Sequence, residues 1–207
     1  KDAEFLVNYA NVLIEQAQNQ DALPLLEEVC KLRPQQAIAW IKLAECCYLL
    51  TLHGKGFEAS QKAATLATTL EDRTSALTQS AIHRRELGQV REAIQDCEAA
   101  IALRPNDPGN YTNKLLFMLA DPHVSAAQLS AAARQFGDTF EPPLRPDWPR
   151  FDEHRGEPWR RLKVGFLSPD FRAHAVMYFT EGLLAQLDRR QFEVFAFYLF
   201  PKSDHVT

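Results

Sequence analysis

Apolar residues recur at intervals of three and four along the first 140 residues, which is the period of helices that bury one face. Two segments show the pattern most plainly: LPLLEEVCKLRP, which ends at Pro34, and EAIQDCEAAIALRP, which ends at Pro105. From residue 161 the period changes, because 164–167 is a short continuous apolar run and 192–199 reads FEVFAFYL, a stretch typical of a buried strand. The pattern predicts a helical first part that is followed by the start of an α/β domain.

The helical part repeats itself at an interval of 34 residues, which separates Gly54 from Gly88 and Ala59 from Ala93. Small residues such as Ala22, Ala59 and Ala93 let two antiparallel helices approach each other closely. The third unit carries small and turn-forming residues at the spacing of the tetratricopeptide repeat: Gly88, Ala93, Cys97, Ala100 and Pro105. One such helical hairpin cannot cover its own apolar face, so the units are expected to stack into an α-helical solenoid.

We assign repeats to 3–36, 37–73 and 74–107, with a degenerate fourth repeat from 108 and a further helix that Ser125 caps. The predicted solenoid therefore occupies 1–140. Glycine is expected to close the first helix of a repeat, because it adopts positive φ without steric cost, and proline to end the second helix. The second repeat holds about three extra residues, which we place between Leu49 and His53.

Polar side chains are predicted on the inner helices of the solenoid, where the concave face of such an array binds extended peptide: Asn8, Asn11, Lys42, Gln79 and Asn113. Asparagine side chains pair with peptide backbone amides whatever the peptide sequence. The alternative interpretation is that these positions are solvated helix faces. Three histidines, His53, His83 and His123, share no helical spacing and are interpreted as surface residues and not as metal ligands.

Charge and composition exclude several classes of function. The net charge of −4 is spread over both halves without a basic stripe, which argues against nucleic-acid binding. No segment approaches the roughly 20 apolar residues of a membrane span, and the N-terminal KDAEFLVNYA does not read as a signal peptide. The four cysteines lie in helical segments without a C-x-x-C pair and are expected to be buried, reduced thiols: Cys30, Cys46, Cys47 and Cys97. We therefore expect a protein with no metal site that is either cytoplasmic or lacks its true N-terminus in this sequence.

Residues 141–161 form a predicted connector that is rich in proline and arginine. Its aromatic residues, Trp148, Phe151 and Trp159, favour an ordered strap that packs on both neighbours over a flexible linker. Asp152, Glu153 and His154 are consecutive and do not share a face, so a metal cluster is not expected there.

Residues 162–207 read as one β-α-β unit, for which a parallel sheet and a right-handed crossover are expected. The first strand is expected to be covered on both faces. No G-x-G-x-x-G is present, so a nicotinamide or flavin site is unsupported. Residues 168–174 follow the carboxyl end of the first strand, where ligands bind in such sheets. Asp170 is a candidate helix cap and His174 a candidate cleft residue; the alternative is that both serve only the loop.

The order of these features resembles the O-linked N-acetylglucosamine (O-GlcNAc) transferase family, and most closely its bacterial members with short repeat arrays. The resemblance covers nearly the whole chain, and its specific part is LKVGFLSPDFRAH at 162–174. Animal members have Gly-Asn-His-Pro where this chain has Arg172-Ala173-His174-Ala175, and a second histidine where Tyr178 stands. The active-site histidine is therefore retained, whereas its immediate surroundings differ.

The resemblance implies a solenoid that is followed by the start of a Rossmann-like lobe of a GT-B glycosyltransferase. The family moves N-acetylglucosamine from UDP-GlcNAc to serine or threonine hydroxyls, with inversion and without metal or cofactor. The resemblance also implies a catalytic role for His174, as a base or an orienting group, with Asp170 and Tyr178 nearby at the substrate. The implied partners are an acceptor protein in the repeat groove, the UDP-sugar donor and the remainder of the catalytic region.

Since the resemblance places most UDP-binding residues in a second lobe, we expect residues 1–207 alone to be inactive. Two alternatives stay open. One is a non-enzymatic tetratricopeptide adaptor with a degenerate α/β tail. The other is a glycosyltransferase of the same fold that uses another nucleotide sugar.

Overall fold

The computed structural model describes residues 3–149, 159–201 and 203–206, and divides into two compact units, Lys1–Trp148 and Pro149–Thr207. Among its described residues the first unit holds eight α-helices: α1 Ala3–Glu15, α2 Asn19–Leu32, α3 Ala37–Leu49, α4 His53–Leu66, α5 Leu70–Glu86, α6 Val90–Leu103, α7 Pro108–Ala120 and α8 Ala126–Phe140. The second unit holds strand β1 Leu162–Ser168, helix α9 Ala175–Gln186 and strand β2 Phe192–Tyr198. Each unit is described by itself below.

The helices of the first unit are arranged as successive hairpins. Each helix packs mainly against its neighbours in sequence, and the first helices of successive hairpins (α3, α5 and α7) also contact one another. This pattern of contacts is that of a stacked helical solenoid, because neighbouring repeats supply each other's apolar cover. The predicted solenoid is confirmed.

The first three hairpins turn in the same way, through one residue with positive φ: Ala17 (60°), Thr51 (58°) and Gly88 (79°). In each turn the next residue donates its amide to the carbonyl five positions back, as Gln89 does to Arg84 at 2.8 Å. This is the Schellman arrangement that closes helices. Gly88 is therefore placed as predicted, whereas Gly54 is not a turn residue and lies in the first turn of α4.

The extra residues of the repeat array lie in α5 and not, as predicted, between Leu49 and His53. The α3–α4 turn has the same three-residue length as the other two turns, whereas α5 is 17 residues long and α3 is 13. A new repeat therefore begins at Leu70 and not at residue 74. An insertion that is accommodated by a longer helix leaves no turn signal in the sequence.

His83 is buried, so its interpretation as a surface residue is wrong. Counting from the turn residues places Gly56, not Ala59, at the position equivalent to Ala22 and Ala93. The His83 ring fills the space beside Gly56, where an added Cβ would overlap it. Its Nε2 lies 3.1 Å from the Ala44 carbonyl oxygen, and the half-buried His53 ring is 5.8 Å away between centroids.

The largest group of buried apolar residues joins the first two repeats and includes Leu26, Val29 and Leu43. The four cysteines are buried and free, as predicted. Burial raises the pKa of Cys30 to about 12 and that of Cys47 to about 11, so both are neutral thiols at physiological pH.

The fourth repeat is closed by an aromatic cluster, in which Tyr111 of α7 contacts Phe136 and Phe140 of α8 edge-on. Ser125 begins α8 with a capping box to Gln128, as its predicted role requires. The degenerate repeat therefore keeps the hairpin architecture without its turn glycine.

The second unit pairs β1 and β2 in parallel, with Leu162 opposite Phe192 and Ser168 opposite Tyr198. The predicted β-α-β unit is present, although one expectation fails. Alternate residues of β1, Val164 and Phe166 among them, are half-buried, whereas Leu167 on the opposite face is 67% exposed. Within the described residues the strand is therefore covered on one face and not on both.

Nine of the 21 residues of the predicted connector, 150–158, lie outside the described residues, and Phe151 and the sequence Asp152-Glu153-His154 are among them. Trp148 follows a single 3-10 turn, Arg145–Asp147, and is half-exposed. Trp159 is 96% exposed among the described residues, and the packing of the connector on both neighbours stays a prediction. No helix within the described ranges has the length and apolarity to cross a membrane.

Candidate functional site

Four of the five predicted groove residues occupy equivalent places in successive repeats. Asn8, Lys42 and Gln79 each lie nine residues before the positive-φ residue of their hairpin, on α1, α3 and α5. Asn113 lies nine residues before Pro122, in the turn after α7. Asn11 lies one turn further along α1 than Asn8, at the position equivalent to Glu45. The first helices therefore present a row of polar side chains.

A first cavity of about 450 Å³ lies between α1, α3 and α5 and brings together three of the predicted residues, Asn11, Lys42 and Gln79. Its other lining residues were not predicted from the sequence: Ile14, Glu15, Glu45, Tyr48, Leu49 and Ile82. Lys42 and Glu45 form an ion pair at 2.7 Å on the wall of this cavity. The first cavity is thus partly apolar and partly charged.

A second cavity of about 240 Å³ continues from the first, since Glu45 and Gln79 line both. It contains the predicted Asn113. It also contains residues that the sequence did not reveal: Thr74, Ser75, Thr78, Arg104, Asp107, Gly109 and Asn110. We call the two cavities together the groove. Asn8 is exposed and lines neither cavity, so the structure does not bring it to the groove.

Hydrogen bonds among the residues of the groove hold part of it in place without a ligand. The Thr78 hydroxyl donates to Asn110 Oδ1 at 2.7 Å, and Asp107 accepts from the Gly109 amide as the N-cap of α7. Gln79 Oε1, in contrast, is buried and accepts no hydrogen bond from any described residue. A buried acceptor without a donor is costly, by about 1–3 kcal/mol.

In the second unit, residues 168–174 form a loop at the carboxyl end of β1 that is held by local hydrogen bonds. The Asp170 amide donates to Ser168 Oγ at 3.0 Å, and the Ala173 amide donates to Asp204 Oδ2 at 2.8 Å. The Arg172 guanidinium lies over the Phe200 ring, 4.7 Å from its centroid. The loop is thus tied to the residues that follow β2.

His174 itself is the N-cap of α9, which corrects the expectation that Asp170 caps this helix. The Val176 amide donates to His174 Nδ1 at 3.3 Å. An Nδ1 atom that accepts a hydrogen bond carries no proton, so in the neutral ring the proton is on Nε2. In this tautomer Nε2 of His174 is a hydrogen-bond donor.

The structure brings Asp170 close to His174, with 3.7 Å between Asp170 Oδ1 and His174 Nδ1. Arg172 approaches the same carboxylate oxygen at 3.8 Å. Tyr178 lies in the first turn of α9 and is 82% exposed. His174 is half-buried beside a carboxylate, whereas Tyr178 makes no hydrogen bond within the described residues. The described ranges contain no group of three metal-ligating side chains.

Solved structures with a similar fold exist, whereas no protein-family model and no curated protein sequence matches the chain. A variant of the Thermobaculum terrenum O-GlcNAc transferase is similar over 99% of this chain, with a TM-score of 0.73 and 21% sequence identity. The chain spans 38% of the length of that protein.

Two proteins resemble a smaller part of the chain. MamA from Desulfovibrio magneticus is similar over 71% of this chain and 78% of its own, with a TM-score of 0.58 and 16% identity. The first tetratricopeptide domain of Spaghetti (RPAP3), solved with an HSP90 peptide bound, is similar over 57% of this chain and 91% of its own, with a TM-score of 0.53 and 19% identity. At these identities the likeness concerns the fold, and together with the hairpin geometry it shows that the helical unit is a tetratricopeptide-repeat solenoid.

Proposed function

We propose that the chain is part of a protein O-GlcNAc transferase, in which the repeats bind the acceptor polypeptide and the β-α-β unit contributes to the catalytic site. The observation that carries the proposal is the combination of a peptide-sized groove with a histidine at the carboxyl end of a parallel strand. The likeness to the Thermobaculum terrenum enzyme over both units supports it.

The groove suits an extended polypeptide because carboxamides on successive helices line it. Asn11, Gln79 and Asn113 each offer a donor and an acceptor, which is what a peptide backbone requires. The bound peptide in the RPAP3 domain supports this use of the fold. Localisation of the protein in the cytoplasm, where acceptor hydroxyls and UDP-GlcNAc meet, is part of the proposal.

In the proposed reaction the acceptor hydroxyl oxygen attacks C1 of the sugar, and the bond from C1 to the diphosphate oxygen breaks. UDP leaves with the electron pair, and the hydroxyl proton passes to solvent water. His174 has its Nδ1 engaged by the Val176 amide, so Nε2–H donates. We therefore assign His174 the orientation of a substrate oxygen and not the removal of the hydroxyl proton. Asp170 holds the loop, and Tyr178 lies exposed one turn into α9.

The test separates the imidazole of His174 from its capping role, and it uses the full-length gene product. His174→Asn retains a good helix cap without an imidazole, whereas His174→Ala removes both. Transfer from UDP-GlcNAc to protein acceptors is measured for the wild type and both variants, with other UDP- and GDP-sugars in parallel. We expect the wild type to transfer N-acetylglucosamine from UDP-GlcNAc. The transfer rate of both variants is expected to be lower by about 100-fold or more.

Three results contradict the proposal. Wild-type rates in His174→Asn would restrict this residue to capping. Faster transfer from another nucleotide sugar would show that UDP-GlcNAc is not the donor. Absence of transfer from any donor, combined with peptide binding by the repeats, would favour the non-enzymatic adaptor.

A further inference from the structure

The first cavity offers an apolar surface within an otherwise polar groove. Tyr48 and Leu49 of α3 remain 43% and 48% exposed there, and Ile14 and Ile82 line the cavity from the neighbouring first helices. Its volume of about 450 Å³ exceeds the roughly 30 Å³ share of a water molecule many times over, and it is sufficient for a bulky side chain. Backbone recognition by carboxamides does not require such an apolar pocket.

The charged groups of the first cavity leave one carboxylate uncompensated. Lys42 and Glu45 neutralise each other at 2.7 Å. Glu15, at the end of α1, forms no ion pair among the described residues. A ligand that fills this cavity is therefore favoured if it places a positive charge beside Glu15.

The second cavity, in contrast, favours a ligand that places a negative charge in it. Arg104 lines it, and no carboxylate of the described chain forms an ion pair with this guanidinium. Of the two acidic residues of the same cavity, Glu45 is paired with Lys42, and Asp107 accepts the Gly109 amide at the start of α7. The groove therefore has an anionic end at Glu15 and a cationic end at Arg104.

From these contacts we infer that the groove selects its polypeptide by sequence. The partner is an extended segment with a bulky apolar residue in the first cavity, a basic residue towards Glu15 and an acidic residue towards Arg104. Gln79 lines both cavities, and its carboxamide is placed to meet the backbone of the same segment. The inference rests on the peptide-binding part of the proposed function and adds the chemistry of the segment.

The experiment begins with a random 12-residue peptide library displayed on phage and selected on the full-length protein. The expected result is enrichment of peptides in which one bulky apolar residue lies between a basic and an acidic residue. Enriched peptides without this charge order overturn the inference and leave peptide binding intact. Failure to enrich any peptide overturns the peptide-binding part of the proposed function together with the inference.

Charge reversal then tests the two ends separately, by fluorescence anisotropy with one enriched peptide. Glu15→Lys and Arg104→Glu are each expected to weaken binding about fivefold, the effect of one partly exposed ion pair. A peptide with the matching charge reversed is expected to recover the loss.

Matched controls are Glu58→Lys, exposed on α4 outside the groove, and Arg33→Glu, which follows α2 as Arg104 follows α6. Both controls are expected to bind like the wild type. Equal losses in the groove variants and their controls would overturn the inference.

Discussion

At the scale of single residues, the His83 imidazole joins the second and third repeats. It enters from α5, fills the space beside Gly56 on α4 and meets the carbonyl oxygen of Ala44 on α3. The three helices therefore share one polar contact within an apolar junction. A glycine is required at residue 56 by this close approach and not by its backbone angles.

Replacing Gly56 by alanine is expected to destabilise the protein by about 2–4 kcal/mol, since overpacking forces a shift of the buried ring or of the helices. Gly54→Ala is the matched control, because no atom lies within 4 Å of its added Cβ, and it is expected to stabilise by up to about 1 kcal/mol. Urea unfolding measures both. Removal of the ring in His83→Ala should recover most of the Gly56→Ala loss, and additive losses would contradict the account.

His83 also predicts a pH dependence of stability. Burial and, to a smaller extent, His53 lower the pKa of His83 below its ordinary value of 6.5, while the Ala44 carbonyl and Glu86 oppose the shift. The unfolded chain therefore binds a proton more readily than the folded one. Stability is unaffected by this group above pH 6.5 and falls as the pH decreases below it.

The measurement compares urea unfolding at pH 7.5 and 5.5 for the wild type, His83→Gln and the exposed-residue control His123→Gln. The loss of unfolding free energy on acidification should shrink in His83→Gln and persist in His123→Gln. An identical loss in all three proteins would assign the pH dependence to other groups.

At the scale of elements, three hairpins use one turn geometry with different residues. Glycine reaches positive φ without steric cost, whereas Ala17 and Thr51 adopt it against their side chains. The hydrogen bonds of the turn and the packing of the helices on both sides impose this conformation. Helix α9 likewise uses an uncommon residue for a common structural role. Its N-cap is His174, where serine, threonine or aspartate is usual.

At the positive-φ residue of a turn, introducing glycine and removing glycine are expected to change the free energy of unfolding in opposite directions. Thr51→Gly is expected to raise the free energy of unfolding by up to about 1 kcal/mol, and Gly88→Ala to lower it by about 1 kcal/mol. Thermal unfolding monitored by circular dichroism checks both. A lower melting temperature for Thr51→Gly would show that the threonine side chain contributes more than its backbone strain costs.

These elements also show what the sequence reveals. The turn at Gly88 can be predicted from the sequence, because glycine is the common residue at positive φ. Ala17 and Thr51 give no such indication of their turns. The contact of His83 with Gly56 joins residues of different repeats and has no local pattern. In the groove, Asn11 and Asn113 were found from their polarity, but Glu15 and Arg104 lie near helix ends, where charged residues are ordinary.

At the scale of the whole molecule, the proposal gives the two units complementary tasks. In this proposal the solenoid binds polypeptide in its groove, and the loop after β1 presents His174 for sugar transfer. The central claim is that the groove serves the reaction and is not a separate binding module.

The most direct test measures two activities of the full-length protein in parallel: transfer from UDP-GlcNAc to a protein acceptor, and hydrolysis of UDP-GlcNAc without acceptor. The double variant Asn11→Ala/Asn113→Ala removes two carboxamides from the groove and leaves the second unit unchanged. The account predicts a fall of about tenfold or more in kcat/KM for the acceptor, equivalent to about 1.4 kcal/mol, with unchanged hydrolysis. Wild-type transfer by the double variant would contradict it.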